Sequence, residues 1–372
     1  MKKEFPVVVP FLVLSILALF MGLWAGLVRL GWSLPVLPGS LPMQHGPLMV
    51  SGFLGTMIAL ERVVAIRQRW MFAAPFSSGT GWVLSLALPA LQIGPLLITL
   101  GSLFTTGILL HMVRRETKIY TVTMAIGALC WLIGNVLWLF GTPVFLVVWW
   151  WAAFLVLTIA GERLELSRVL RFKRQHYQLF ALAAAIFLSG VGLYTWLPEV
   201  GARVSGAGML ALAAWLLRYD IARRNIRRTV ALPRYIATCL FSGYVWLAFS
   251  GILSLLFGAQ YAGLLYDAIL HSVFVGFVLS MIFGHAPIIV PALTQIKVFY
   301  SRSFYLPVIL LHASLILRIA GDLAGSNPAR MWGGILNEIA LLAFLAIFVT
   351  GAARQRQTQA AAKLTPLPKS IV

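Results

Sequence analysis

The sequence predicts an all-α, polytopic membrane protein with about 12 transmembrane helices in one bundle. Of its 372 residues, 60% are hydrophobic and 10% are charged, and the mean hydropathy is +0.92. A chain of this composition has too much apolar surface to bury in one soluble core, so its solvent is expected to be lipid. Apolar runs of about twenty residues, the length that a helix needs to cross a bilayer, recur along the chain.

The apolar runs number twelve, and glycine, proline or charged residues separate them. Residues 1–352 are therefore predicted to form one integral membrane helical domain, and residues 353–372 a cytoplasmic C-terminal tail. The pair of runs at 71–92 and 94–113 is the least certain, because a polar stretch follows the start of 71–92. The predicted spans are 6–28, 42–66, 71–92, 94–113, 119–140, 143–161, 177–197, 200–218, 233–257, 262–290, 303–321 and 331–351.

The basic residues predict the orientation of the helices. The net charge is +19, and the lysines and arginines cluster at alternate ends of successive spans, leaving only Arg29, Arg203, Arg318 and Arg330 for the other side. The positive-inside rule then places both termini in the cytoplasm and the chain in the inner (cytoplasmic) membrane. The charge is thus an orientation signal at anionic headgroups and does not indicate nucleic-acid binding.

Four of the six histidines lie inside apolar runs. Ionisable groups in hydrocarbon are costly and are retained mainly for function, and neutral imidazole is a usual ligand of haem iron and copper. These histidines are therefore candidate metal ligands, although each could instead be a hydrogen-bonded core residue. They are His45, His271, His285 and His312. By contrast, His111 and His176 stand beside arginines and are expected at headgroup level.

The tenth predicted span carries its polar groups on one stripe. At 100° per residue, Asp267, His271 and His285 fall within about 40° of one line. Asp267 precedes His271 by one turn, a spacing at which a carboxylate can orient a ligating imidazole or take part in a proton relay. The opposite face has a series of small residues, for which helix packing is favoured over approach of a flat cofactor. These are Gly276, Ser280 and Gly284.

Arg318 is the unusual cation of the eleventh span, since it lies within a long apolar segment. It could pair with Asp322 as a structural bridge. It could equally bind an anionic group such as a haem propionate.

Two segments resemble motifs of the NnrS family. The segment from His271 to His285, followed by Leu-Ile-Leu-Arg318, resembles that family's histidine-glycine helix and the succeeding arginine helix. The stretch from Gln44 to Gly55 is similar to its early histidine helix. The resemblance implies a twelve-helix membrane protein that contains haem and copper, is linked to nitric oxide, and is distantly akin to the haem-copper oxidase catalytic subunit. It implies ligand roles for His45, His271 and His285.

These observations predict a haem-binding membrane protein with a redox or nitric-oxide-related role, served by an electron donor. His45, His271 and Arg318 are the expected contacts of haem b, and all four membrane histidines are candidate ligands of haem iron or copper. Because the chain lacks the HxH and HH patterns of true oxidases, a single haem is expected. The alternative is a secondary transporter or channel with a polar path, although the two halves show no similarity of the kind frequent in transporters. That path would use Asp267, His271, His285 and His312.

Overall fold

The computed structural model describes residues 5–35, 41–294 and 300–364. It is 88% helical, and these residues contain no strand. The predicted all-α membrane fold is confirmed. The described residues form twelve main helices: α1 (Phe5–Arg29), α2 (Leu41–Ile66), α3 (Ala73–Ala87), α4 (Ile93–Arg115), α5 (Ile119–Leu139), α6 (Val144–Ser167), α7 (Arg174–Tyr194), α8 (Pro198–Tyr219), α9 (Ala231–Phe257), α10 (Gly263–Thr294), α11 (Tyr305–Ala324) and α12 (Asn327–Leu364).

Eleven of these helices are long and apolar enough to cross a bilayer. The exception is α3, in the predicted span at 71–92, whose 15 residues reach only about 22 Å. A 3-10 turn at Arg69–Phe72 leads into it. Helix α3 packs very closely on α4, because a Cβ at Gly101 would lie 2.8 Å from the backbone nitrogen of Ser78. The predicted span at 71–92 is therefore a short helix that packs on α4 and is not among the eleven helices long enough to cross a bilayer.

Helices α2 and α10 each contain a π-helical segment just after a candidate histidine. In α2 the segment is Leu48–Gly55, close after His45. In α10 it is Ser272–Leu279, directly after His271. Long π-helical stretches are rare and occur frequently at functional sites. The two helices that carry His45 and His271 thus share the same local departure from α-helical geometry.

A buried polar network ties the π segment of α2 to α5 and α6. The Asn135 Oδ1 accepts hydrogen bonds from Trp151 Nε1 at 3.0 Å and from Ser51 Oγ at 3.4 Å. The indole of Trp131 donates to Ser51 Oγ at 3.0 Å. Only a glycine at position 55 lets that indole pack there, since a Cβ would overlap the Trp131 ring. These bonds fix the helix that presents His45.

At the first of the two prolines in α10, Pro287, helix α9 supplies the hydrogen-bond donor that the proline lacks. Pro287 has no N–H to pair with the carbonyl of Phe283 one turn earlier. The hydroxyl of Tyr235 donates to that carbonyl at 3.1 Å instead. The Phe283 carbonyl, which Pro287 leaves without its backbone donor, is thereby hydrogen-bonded inside the bundle.

The small-residue face of α10 packs against α9. A Cβ at Gly284 would lie 3.2 Å from the Cβ of Cys239, and one at Gly276 would overlap the ring of Trp246. Opposite them, a Cβ at Gly243 would lie 3.3 Å from the Cβ of Ser280. The helix-packing interpretation of this face is confirmed.

The predicted C-terminal tail starts as a continuation of α12, which runs to Leu364. Residues 353–364 are therefore helical, and the rest of the tail, 365–372, lies outside the described residues.

The orientation in the membrane stays a prediction, and reporter fusions test it. Helices α2, α6 and α8 end on the same side of the bundle, where Arg62, Arg163 and Arg218 lie. We call this side the basic end. A fusion at Val372 should report the cytoplasm, and one within 195–202 the opposite side, because of the arginine and lysine distribution. A fusion within 220–230 is the control and should match Val372. Equal signals from Val372 and 195–202 would contradict the topology.

Candidate functional site

His45 is fixed against α1 through one ring nitrogen. Its Nδ1 lies 2.8 Å from the carbonyl oxygen of Gly22. Because a carbonyl oxygen only accepts, Nδ1 is the protonated nitrogen, and the neutral ring has a lone pair on Nε2. Gly26 makes room for the ring, since a Cβ there would lie 3.0 Å from His45 Cε1. His45 therefore presents Nε2 from a defined position.

His271 is fixed in the same way within its own helix. Its Nδ1 lies 2.9 Å from the backbone oxygen of Asp267 and 3.3 Å from the carboxylate Oδ1 of the same residue. The contact between Asp267 and His271 that the sequence spacing predicts is confirmed. Both oxygens are acceptors, so Nδ1 donates and Nε2 again has the lone pair.

The two rings face each other across the bundle. Their centres are 6.3 Å apart and their planes differ by 24°. Two imidazoles on opposite sides of one metal ion have ring centres about 6.3 Å apart when each metal–nitrogen bond is about 2.0–2.1 Å. Aromatic rings that pack without a metal also have ring centres up to about 7 Å apart. The spacing is therefore compatible both with a shared metal and with ordinary ring packing. Each Nδ1 is fixed by a backbone carbonyl, which is the usual orientation of ligating histidines.

Two arginines and two aspartates form ion pairs beside His271. Arg318 makes a bidentate pair with Asp267, with Nε–Oδ2 and Nη2–Oδ1 distances of 2.8 Å. Arg330 lies 3.1 Å from Asp322 and 3.9 Å from Asp267. Of the two alternatives for Arg318, the bridge to Asp322 is not the one formed among the described residues, because α10 offers Asp267 to the Arg318 guanidinium in bidentate geometry. The Nη1 of Arg318 is not used in that pair, so its role towards a propionate stays a prediction.

His285 belongs to a second cluster, nearer the basic end. Its Nδ1 lies 2.7 Å from the backbone oxygen of Met281, and its Nε2 lies 3.2 Å from Nη1 of Arg163. Since arginine only donates, Nε2 accepts and its lone pair is engaged. Arg163 in turn makes a bidentate pair with Asp220, with both N–O distances 2.8 Å. The structure thus places His285 in an ion-pair network and not beside His45 and His271.

His312 is hydrogen-bonded to Trp246 of α9. Its Nδ1 accepts from the indole Nε1 at 3.0 Å, so the proton of the neutral ring is on Nε2. That Nε2 is buried and has no hydrogen-bond partner within the described residues. In this tautomer neither nitrogen of His312 offers a lone pair to a metal.

Within the residues that the structure describes, no group of three His, Cys, Asp or Glu side chains is placed to hold a metal ion. Of the four candidate ligands, the structure therefore brings together only His45 and His271. The other two occupy separate hydrogen-bonded positions.

The apolar helices define the class of the protein, a multi-pass helical membrane protein. The chain belongs to the family described as a domain of unknown function, DUF8744, which matches residues 8–353. A comparison with curated proteins finds no match to the chain.

Sequence reasoning missed the buried pair of Arg163 and Asp220. Tyr244 donates to Asp220 Oδ2 at 3.0 Å, so α6, α8 and α9 meet at one carboxylate. The signal in the sequence was weak, since Asp220 is the only acidic residue in the basic stretch 218–234. The adjacent Glu162 and Arg163 could be taken for a local pair, but Glu162 pairs with Arg62 of α2.

Proposed function

We propose that the protein binds haem b between His45 and His271 and has a redox role in the membrane. The observation that carries this proposal is the pair of facing imidazoles, each with Nδ1 held by a backbone carbonyl and Nε2 available. The resemblance of both histidine segments to the NnrS family supports the same assignment.

The number of ligands favours haem over a bare metal ion. Zinc sites usually have three or four protein ligands, whereas the porphyrin supplies four of the ligands of haem iron and the protein adds one or two. The described residues offer two facing histidines and no group of three candidate ligands. Copper binding would need further ligands such as His285 or His312, and it stays a prediction.

The neighbouring residues are suited to hold a redox group. A bound haem would supply reversible one-electron chemistry at its iron. His45 and His271 would hold it, and Asp267 would keep His271 in one tautomer while Arg318 balances the carboxylate charge. Two histidine ligands leave no open position for nitric oxide. We therefore infer electron transfer as the role, in preference to binding of nitric oxide.

The transporter alternative gains less support from the contacts of the described residues. It requires Asp267, His271, His285 and His312 to line one polar path. Hydrogen bonds and ion pairs join Asp267 to His271, whereas His285 bonds to Arg163 and His312 to Trp246. The four groups thus occupy three separate hydrogen-bonded environments.

An optical spectrum of the purified protein separates these functions. After expression in haem-replete cells, the full chain should carry about one haem per polypeptide, with a Soret band that shifts on reduction by dithionite. Nitric oxide added to the reduced protein should change that band little, because His45 and His271 would both be engaged in holding the haem. Folded, pure protein without a Soret band and without iron would contradict haem binding and leave the transporter alternative.

Replacing Gly26 by valine should lower the haem content several-fold. The added side chain would meet the His45 ring, since a Cβ at this position already lies 3.0 Å from Cε1 and 3.1 Å from Nδ1. Gly107→Val in α4 is the matched control, because nothing lies within 4 Å of a Cβ there. Haem per polypeptide, measured as the pyridine haemochrome, gives the comparison. Equal haem contents in the two variants would contradict the placement of His45 as a ligand.

A further inference from the structure

An open cleft of about 540 Å³ lies at the basic end of the bundle, between the chain that follows α6 and the chain that follows α8. Its lining is strongly basic. Four arginines and one acidic residue, Asp220, contribute to it. The arginines are Arg218, Arg223, Arg224 and Arg227.

The charge of Asp220 is already neutralised from within the bundle. Its two oxygens accept two hydrogen bonds from Arg163 at 2.8 Å and one from Tyr244 at 3.0 Å. The backbone N–H of Ala222 donates to Oδ1 at 2.6 Å. Asp220 is 1% exposed, so it cannot turn towards the cleft without breaking these bonds. The arginines of the cleft are therefore not balanced by this carboxylate.

The four arginines are exposed, and local contacts orient two of them. The guanidinium of Arg218 lies 5.1 Å above the ring of Tyr219, and Nη1 of Arg223 donates to the backbone oxygen of Arg218 at 3.3 Å. Among the described residues, no carboxylate forms an ion pair with Arg223, Arg224 or Arg227. Three guanidinium groups thus lack an anionic partner.

One wall of the cleft is apolar. Leu170 and Phe172 line it together with the ring of Tyr219. Phe172 is held in place by Trp215, at a ring-centre distance of 5.7 Å. A ligand that fits this cleft combines an anionic group with an apolar part.

We propose that the cleft is a binding site for a phosphate-bearing ligand, and that the ligand is an anionic phospholipid. Arginine is suited to binding phosphate because its planar guanidinium group donates two parallel hydrogen bonds. Basic pockets between membrane helices bind anionic headgroups, and the apolar wall would contact the glycerol and upper acyl region. A soluble phosphate compound shares the headgroup chemistry but would leave Leu170 and Phe172 unused.

Binding of lipids to the full-length protein in detergent tests this site. Native mass spectrometry would compare phosphatidylglycerol with phosphatidylcholine for wild type and for Arg223→Gln/Arg224→Gln/Arg227→Gln. We expect wild type to retain phosphatidylglycerol preferentially, and the triple variant to bind it at least about tenfold more weakly. The matched control is Arg114→Gln/Arg115→Gln/Lys118→Gln, which removes the same charge from another exposed site at the basic end and should bind as wild type.

A second measurement distinguishes the source of the phosphate. Inorganic phosphate added without lipid should raise the unfolding temperature of wild type little if the ligand is a phospholipid. A large rise that the triple variant lacks, without lipid preference, would overturn the phospholipid assignment in favour of a soluble ligand. Equal lipid binding by wild type and triple variant, or equal losses in triple and control variants, would overturn the site itself. If the triple variant does not fold, Arg227→Glu replaces it with the same criteria.

Discussion

Removing either facing histidine is expected to abolish most haem binding. His45→Ala and His271→Ala should each lower the haem per polypeptide by more than about tenfold, because loss of even an orienting partner of a metal ligand costs about 10–100-fold in affinity. The measurement is the pyridine haemochrome of purified protein, together with the Soret band after reduction. The two variants should behave alike, since the two rings are held in equivalent ways.

The controls for this prediction are the histidines outside the pair. His111→Ala and His176→Ala should leave the spectrum unchanged, because neither residue belongs to the facing pair. The His176 ring bonds the backbone of Lys173 and packs on Phe172 and Tyr219. His285→Ala should reduce stability through loss of the Arg163 contact while haem per folded polypeptide stays constant. Tolerance of alanine at both His45 and His271, with folding intact, would reduce these residues to packing side chains.

The length of the helices was predictable because it follows from local composition. A run of about twenty apolar residues is costly to place anywhere but in lipid, whatever the rest of the chain does. Helix α3 departs from the prediction because its length depends on a neighbour, α4, whose Gly101 allows close contact with Ser78. No local pattern in 71–92 shows that contact.

The residues of the candidate site were predictable from the sequence, whereas the contacts between residues of different helices were less so. The contact of Asp267 with His271 follows from a spacing of one helical turn, so the sequence contains it. The pairing of Arg318 with Asp267 requires that α10 and α11 lie side by side with one particular rotation. The sequence offered Asp322 as a nearer partner, one turn away in the same helix.

The π segments were not predictable from composition. Leu48–Gly55 and Ser272–Leu279 both have a Gly-Phe pair as their fifth and sixth residues, Gly52-Phe53 and Gly276-Phe277. This dipeptide does not by itself specify a π-helix. In α2 the segment is held by contacts with other helices, such as that of Ser51 with Asn135. Tertiary contacts of this kind override local preference, and they determine where His45 points.

Breaking the buried pair of Arg163 and Asp220 is expected to cause the largest loss of stability. The two side chains are 4% and 0% exposed, and the pair joins α6 to the end of α8. Asp220→Leu would leave a buried guanidinium without its anion, which typically costs about 3–5 kcal/mol. Equilibrium unfolding in mixed micelles of mild detergent and dodecyl sulfate measures the change in the free energy of unfolding.

The double variant Arg163→Met/Asp220→Leu sharpens this prediction. An apolar pair avoids the unpaired charge, so the double variant should be more stable than Asp220→Leu alone. It should remain less stable than wild type, because Tyr244 and His285 each lose a hydrogen-bond partner in a buried position. Arg203→Met is the control, since its pair with Glu199 is 47% and 59% exposed and its loss should matter far less. Equal changes in the free energy of unfolding for Asp220→Leu and Arg203→Met would mean that the buried pair is not the main link between α6 and α8. The position of the arginine cleft beside Asp220 would then have to be fixed by other contacts.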